Sequence, residues 1–273
     1  MSSRGREIPL PEGLNPEHPT LIQLHRGPVE DADDFGRRCE AVDAPFAGRV
    51  MADLEGVDPR EIGELLAARP EPLYVSQGLG FTTEDMLEVA TVFDRVLGLP
   101  TERGGSGFPS PWTALGVLAA IRGCVGDLPG CRISVLGTGF VGAHLVKLLL
   151  DEGAEVYAAD LDAEKVEAAG ALVVTPDEIW DVPCDVFSPN ARGPVFTMAT
   201  APRLNCSFVA GGANGPLESP EIGAFLIGRG IRYVPEEIAG SGWILNLAAE
   251  LGEGGWSEGA AREHVMRIEG LVC

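Results

Sequence analysis

The chain has 273 residues, of which 45% are hydrophobic, so it can bury cores for two domains and is too apolar to be intrinsically disordered. Its formal net charge of −21 would repel phosphate backbones and anionic lipids, which argues against a nucleic-acid or membrane partner. No segment approaches the roughly 20 apolar residues of a spanning helix, and the polar N-terminus lacks a signal-peptide core, so we expect a cytoplasmic protein.

The first 112 residues are predicted to form a small α/β domain. In chain order its predicted elements are an irregular arm to about residue 30, a helix at 31–41, a strand at 48–52, a helix at 59–68, a strand at 73–75 and a helix at 83–97. The last helix, TEDMLEVATVFDRVL, has its apolar residues on one face, and Thr83 is its predicted N-cap. A loop rich in Gly and Pro then marks a domain junction.

Strands alternate with helices in the second half of the chain. A helix at 112–125 precedes predicted strands at 132–137, 155–160, 171–174, 185–188, 207–210 and 232–234. Continuously apolar strands joined by helices predict a Rossmann-type, doubly wound parallel sheet over residues 113–250. Residues 251–273 are predicted to carry a final helix that returns toward the first domain.

The strongest motif is GTGFVG, which follows the strand RISVLG and opens a helix. Glycines at these positions permit a tight turn, a close approach to a pyrophosphate and tight packing of the helix on the sheet. The next strand ends in Asp160, whose carboxylate can accept hydrogen bonds from a ribose and would repel a 2′-phosphate. The alternative is a strand-to-helix turn without a ligand. The motif therefore predicts an NAD site, formed by Gly137, Thr138, Gly139, Phe140, Val141, Gly142, Asp160 and Leu161.

Several segments together carry a resemblance to a known family. They are LGFTTEDM (79–86), PSPWTALGV (109–117), VLGTGFVGAHL (135–145), CDVFSPNARG (184–193), NCSFVAGGANGPL (205–217) and GIRYVPEEIAGSGWILNLAAEL (230–251). They resemble the Glu/Leu/Phe/Val dehydrogenases, and most of all the leucine and phenylalanine enzymes. The resemblance implies further residues along the cofactor cleft, namely Thr113, Ser188, Pro189, Asn190 and Asn214. A helix cap for Thr113 and a turn for Asn214 are the structural alternatives. The resemblance also implies a homo-oligomer, here a dimer, although the first domain is shortened.

The first domain differs from the family at the positions where the resemblance implies catalytic residues. The resemblance implies two lysines there, one for the substrate carboxylate and one for acid–base work, but the chain has no lysine before Lys147. Arg37 and Arg49 fall at the two positions, and Gly78 falls at the position of an aspartate. Arginine stays protonated, so it can clamp a carboxylate but cannot serve as a general base. Solvated surface charge is the alternative for both arginines.

These observations predict the substrate site and the activity. Arg37, Arg49 and Ser76 are the predicted catalytic-site residues, with Tyr74 and Gln77 as further replacements for the lost acid–base pair. We expect an NAD-dependent oxidoreductase acting on a small amino, imino or hydroxy acid, and not by ordinary oxidative deamination. The alternatives are a lyase or cyclase that retains NAD, and a catalytically silent NAD-binding subunit. No cysteine lies at a CxxC spacing, so we expect no metal site.

Overall fold

The structure is a computed structural model that describes residues 20–25, 38, 40–46, 49–54, 56–69, 72–78 and 80–272. These residues form two compact units. Unit 1 contains the described residues up to Phe108 together with Leu247–Ala260, and unit 2 contains Pro109–Asn246 together with residues from Ala261 onward. Each unit has its own parallel sheet with helices, so the predicted α/β class is confirmed. No helix in the described ranges is long and apolar enough to cross a bilayer.

The sheet of unit 1 has the order β2-β1-β3-β4, and all its strand pairs are parallel. Its strands are β1 (Thr20–His25), β2 (Arg49–Asp53), β3 (Leu73–Gln77) and β4 (Val96–Leu97). The prediction of an irregular arm to residue 30 was wrong at β1, which pairs with both β2 and β3. Its residues Leu21, Ile22 and Leu24 are fully buried, because a strand flanked on both sides fills the centre of the sheet.

Among the described residues before Phe108, the helices α1 (Pro59–Ala67) and α2 (Thr83–Val89) pack against each other. The predicted helix over 83–97 therefore ends early. Phe93 turns back into the core, and Val96–Leu97 pairs with β3 instead. The N-cap is Thr82 and not Thr83, since the Thr82 hydroxyl accepts the Asp85 N–H at 3.1 Å while the Asp85 carboxylate accepts the Thr82 N–H at 2.8 Å. This reciprocal pair is a capping box.

The sheet of unit 2 has six parallel strands in the order β10-β9-β8-β5-β6-β7. They are β5 (Arg132–Leu136), β6 (Glu155–Ala159), β7 (Leu172–Val173), β8 (Val186–Pro189), β9 (Phe208–Val209) and β10 (Arg232–Tyr233). The chain moves outward from β5 in one direction through β6 and β7, and in the other through β8, β9 and β10. This reversal makes the sheet doubly wound, as the sequence predicted.

The α-helices after Phe108 follow in chain order. They are α3 (Ser110–Val125), α4 (Phe140–Asp151), α5 (Ala163–Ala169), α6 (Pro220–Gly228), α7 (Glu236–Ala239), α8 (Gly242–Ala249), α9 (Glu258–Met266) and α10 (Ile268–Leu271). Stacked rings of Trp180 and Phe187, 5.0 Å apart, lie in the core with Phe196. The last helix, α10, packs on α3 within unit 2, where a Cβ on Gly123 would lie 2.5 Å from the Glu269 carbonyl oxygen. A glycine thus permits this close contact. Of the segment 251–273, which was predicted to return toward the first domain, residues 251–260 belong to unit 1 and the described residues from Ala261 onward belong to unit 2.

Candidate functional site

A crevice is expected where the strand order of unit 2 reverses, between β5 and β8. Leu136 and Pro189 are register partners at the carboxyl ends of these strands, and the Asn190 N–H donates to the Leu136 carbonyl at 2.7 Å. The segments that follow β5 and β8 then turn away in opposite directions. In open α/β sheets, ligands bind at this point. The glycine-rich loop after β5 and the polar residues after β8 therefore share one site.

The three glycines of the loop meet different surroundings. Gly137 has a φ of 93°, and a Cβ there would lie 2.7 Å from the Ala191 nitrogen. A Cβ on Gly142 would lie 1.9 Å from the Gly137 carbonyl oxygen, so the loop lies directly on the first turn of α4. At Gly139, the N-cap of α4, a Cβ would meet nothing within 4 Å. The open position beside a helix N-terminus is suited to a phosphate.

The carboxylate of Asp160 is fixed by the backbone. Its Oδ2 accepts the Thr138 N–H at 2.7 Å, and its Oδ1 accepts the Asp162 N–H at 3.1 Å. Burial favours a higher pKa for Asp160, but these hydrogen bonds outweigh it and hold the pKa below its ordinary value. The Asp160 carboxylate is therefore an oriented anion at the end of β6. Its remaining lone pairs can accept hydrogen bonds from the two hydroxyls of a ribose.

Asn190 connects the loop after β8 to the loop after β9. Its Nδ2 donates to the Ser188 carbonyl and hydroxyl oxygens, both at 3.1 Å, and its Oδ1 accepts the Gly212 N–H at 3.1 Å. A Cβ on Gly212 would lie 3.1 Å from Val141 and 3.4 Å from Thr113. The structure thus brings Thr113, Val141 and Asn190 to one place around a glycine.

Two apolar side chains at this edge of the sheet are unusually exposed. Phe140, inside the glycine motif, is 72% exposed, and Leu161, directly after Asp160, is 97% exposed. Ser188 and Pro189 are buried, whereas Asn214 is exposed in a turn before Gly215, which has a positive φ. The exposed apolar side chain of Leu161, directly after the fixed carboxylate, is available to contact the adenine end of a nucleotide.

Similar proteins identify the family of this chain. A profile of the glutamate/leucine/phenylalanine/valine dehydrogenases matches residues 159–254. Leucine dehydrogenase from Thermoactinomyces intermedius is 35% identical over 223 residues, which cover 78% of this chain and 59% of that protein. Phenylalanine dehydrogenase from Caldalkalibacillus thermarum is 32% identical over 238 residues, which cover 78% of this chain and 64% of that protein. The chain belongs to the Glu/Leu/Phe/Val dehydrogenase family.

Solved structures show the same fold. The crystal structure of L-tryptophan dehydrogenase from Nostoc punctiforme matches with a TM-score of 0.78 at 24% identity, covering 94% of this chain and 81% of that one. Hetero-hexameric glutamate dehydrogenase from Thermus thermophilus matches with a TM-score of 0.69 at 25% identity, covering 94% of this chain and 74% of that one. This family member spans less than two thirds of the leucine and phenylalanine dehydrogenases that it matches.

Of the predicted substrate residues of this family member, Arg49 and Ser76 belong to unit 1. Arg37 lies outside the described residues. Arg49 is the first residue of β2, opposite Leu21 of β1, and its side chain is not described. Ser76 is 3% exposed on β3, and its hydroxyl has no hydrogen-bond partner among the residues that the structure describes. Gln77 donates from Nε2 to the Phe81 carbonyl at 2.7 Å. The assignments of Arg37, Arg49 and Ser76 therefore stay predictions.

The sequence reasoning missed two residues of interest. Gly212 receives the hydrogen bond and the close contacts described above, and the signal for it was the GGAN run after β9. Arg38, one position after Arg37, is a buried arginine that no sequence signal distinguished from its neighbour. The described residues contain no group of three metal-ligating side chains.

Proposed function

We propose that this protein is an NAD-dependent oxidoreductase that transfers hydride to or from a small substrate with a carboxylate. The substrate class is an amino, imino or hydroxy acid. When bound, the nicotinamide would supply the hydride acceptor or donor. The chain's own residues would bind the dinucleotide through the loop from Gly137 to Gly142 and would orient its adenosine ribose through Asp160.

The observation that carries the proposal is the fixed Asp160 carboxylate beside the open Gly139 position. Two backbone N–H groups hold the carboxylate, so it is present as an anion at neutral pH. An anion there favours a ribose with free hydroxyls over one with a 2′-phosphate, which supports NAD over NADP. Thr113, Ser188, Pro189, Asn190 and Asn214 would line the remainder of the cofactor site.

The substrate side supports a reaction other than ordinary oxidative deamination. Residues 1–146 contain no lysine, so the base that the family resemblance implies is replaced. We propose that Arg37 and Arg49 hold the substrate carboxylate through paired hydrogen bonds. Loss of a positioned general base typically slows a proton transfer about 10²–10⁴-fold. Hydride transfer to a protonated imine gives an amine without any deprotonation, so an imine fits such a site better than an amino acid does. A hydroxy acid would need another side chain to accept its hydroxyl proton.

The same missing lysines favour a second candidate, a lyase or cyclase that keeps NAD bound and recycles it. Internal recycling leaves the amount of reduced cofactor unchanged, whereas a dehydrogenase produces or consumes it stoichiometrically. A catalytically silent NAD-binding subunit would show neither change. The three functions are therefore separated by one assay that measures the cofactor and the product together.

The test has two steps. First, thermal unfolding is measured with NAD and with NADP, because NAD at 100 times its dissociation constant should stabilise the fold by about 2.7 kcal/mol. Second, a panel of amino, 2-oxo and 2-hydroxy acids is screened by the absorbance of reduced cofactor, with product analysis by mass spectrometry. We expect NAD to raise the unfolding temperature more than NADP does. We also expect at least one acid to be converted with a matching change in the absorbance of reduced cofactor.

Two results would contradict the proposal. If NAD did not raise the unfolding temperature, the assignment of the cofactor site would be wrong. Stabilisation by NAD without any change in reduced cofactor across the panel would instead favour the alternatives, and product formation would then separate the lyase or cyclase from the silent subunit.

A further inference from the structure

Two cysteines of unit 2 lie next to each other on neighbouring strands. Cys184 precedes β8 in PCD, and Cys206 precedes β9 in NCS, so they are far apart in sequence and form no sequence motif. Val186 pairs with Phe208 and Phe187 with Val209. The same offset, continued two residues toward the N-terminus, places Cys184 opposite Cys206.

Backbone hydrogen bonds hold this register at the cysteines themselves. The Cys184 N–H donates to the Asn205 carbonyl at 3.0 Å, and the Phe208 N–H donates to the Asp185 carbonyl at 3.1 Å. Directly opposed residues of paired strands have Cα atoms about 4.8 Å apart. This distance lies inside the range of about 4.4–6.8 Å that disulfides require.

The two side chains face the same side of the sheet and the same hydrophobic core. Cys184 is 8% exposed within the core cluster that contains Phe187 and Phe196, and Cys206 packs against that cluster. Cys206 is only partly buried, so a small oxidant can reach the pair from its side. Both cysteines are in the thiol form and are not joined by a disulfide bond.

The sulfur atoms interact with each other. A hydrogen bond with Cys206 lowers the pKa of the Cys184 thiol, although burial opposes this effect, and the same bond raises the pKa of Cys206. Thiolate character at one member of a thiol pair favours attack on an oxidised partner. The hydrogen bond between the two thiols therefore agrees with the strand register that places Cys184 opposite Cys206.

From this register we propose that Cys184 and Cys206 form an oxidative modification site, at which a peroxide converts the two thiols into a reversible disulfide. In this reaction the two S–H bonds and the O–O bond break, and one S–S bond forms. Hydrogen peroxide takes up the two electrons and two protons and leaves as two molecules of water. The bond would join the ends of β8 and β9 opposite to those that carry Asn190 and Gly212.

The proposal is tested on the reduced, full-length protein treated with hydrogen peroxide under native conditions. The peroxide is then removed with catalase, and the protein is denatured, alkylated and digested for mass spectrometry. We expect a linked peptide pair that contains Cys184 and Cys206, a loss of two of the six titratable thiols, and their recovery with dithiothreitol. Peroxide treatment in urea should give mixed linkages, because the register is then lost.

Two variants sharpen the result. Cys206→Ser should abolish the linked pair, whereas Cys131→Ser should leave it unchanged, since Cys131 lies elsewhere with its Sγ donating to the Asp127 carbonyl at 3.2 Å. If Cys206→Ser fails to fold, the peptide map of the unsubstituted protein still decides. Recovery of both cysteines as separately alkylated peptides, or their oxidation only to sulfinic or sulfonic acids, would overturn the proposal.

Discussion

Asp160 is the residue that would set the cofactor preference in the proposed function. Its carboxylate is oriented by the N–H groups of Thr138 and Asp162, so it needs no rearrangement to accept hydrogen bonds from a ribose. Hydrogen bonds to a charged group are worth about 1.5–3 kcal/mol each, which corresponds to tenfold or more in affinity. The negative charge simultaneously disfavours a 2′-phosphate.

We expect Asp160→Asn to weaken NAD binding about tenfold and to reduce the preference over NADP, because the variant loses the charge while keeping its shape. The measurement is calorimetric titration with both cofactors. Asp162→Asn is the matched control, since Asp162 accepts the Glu164 N–H as an N-cap and asparagine caps a helix equally well. An unchanged ratio of the two affinities in Asp160→Asn would contradict this role.

Gly139 and Gly142 differ in what an added methyl group would meet. Gly139 has a φ of −68° and open space, so Gly139→Ala should unfold at nearly the same temperature but bind NAD at least about tenfold more weakly. Gly142→Ala should lower the unfolding temperature itself, because its Cβ would contact the Gly137 carbonyl oxygen. Thermal unfolding with and without NAD measures both effects, and equal losses of stability in the two variants would refute the distinction.

At the scale of the elements, α2 illustrates how local hydrogen bonds decide where a helix begins. The apolar spacing indicated a helix, but it did not distinguish Thr82 from Thr83 as the N-cap. The side chain of Thr82 accepts a hydrogen bond from the Asp85 N–H, and the Asp85 carboxylate accepts one from the Thr82 N–H. The same local competition ends the helix near Val89, since the Thr91 hydroxyl donates to the Glu88 carbonyl at 2.7 Å.

Removal of the cap tests this assignment. Thr82→Ala should lower the free energy of unfolding by about 1 kcal/mol, because one N–H of the first turn loses its acceptor. Thr83→Ala is the control and should have little effect, since alanine is a good helix former at an exposed first position. Denaturant unfolding of both variants provides the comparison. A larger loss in Thr83→Ala would show that the helix begins one residue later.

At the scale of the whole molecule, the chain returns to unit 1 after completing most of unit 2. Leu247–Ala260 belongs to unit 1, and Glu250 secures it there. The Glu250 Oε1 accepts the N–H groups of Gly98 at 2.8 Å and Ser106 at 2.9 Å. Burial raises the pKa of Glu250, although these hydrogen bonds oppose the shift.

This raised pKa makes stability depend on pH in a definite direction. The folded state binds the Glu250 proton more tightly than the unfolded state, so the contribution of Glu250 is present at low pH and is lost as pH rises from about the ordinary carboxyl pKa through the raised one. Glu250→Gln keeps the acceptor oxygen and cannot ionise. We expect the unfolding free energy of the native chain, relative to Glu250→Gln, to fall over this interval. A relative free energy that rises with pH would contradict the assignment.

The sequence by itself determined the α/β class, the doubly wound sheet of unit 2 and the glycine-rich loop followed by Asp160. These features depend on local periodicity and on residues close together in the chain, which a single segment can specify. Thr113 and Asn190 were obtained from the family resemblance, and the structure places them together beside Val141.

Only the tertiary structure decided the features that depend on distant residues. The position of β1 between β2 and β3, the pairing of β4 with β3, the packing of α10 on Gly123 and the approach of Cys184 to Cys206 all need partners from other segments of the chain. Strand pairing and close packing reward particular combinations of distant residues, whereas propensity and periodicity describe each segment alone. Residues 20–25, which were predicted to lie in an irregular arm, form a buried central strand for this reason.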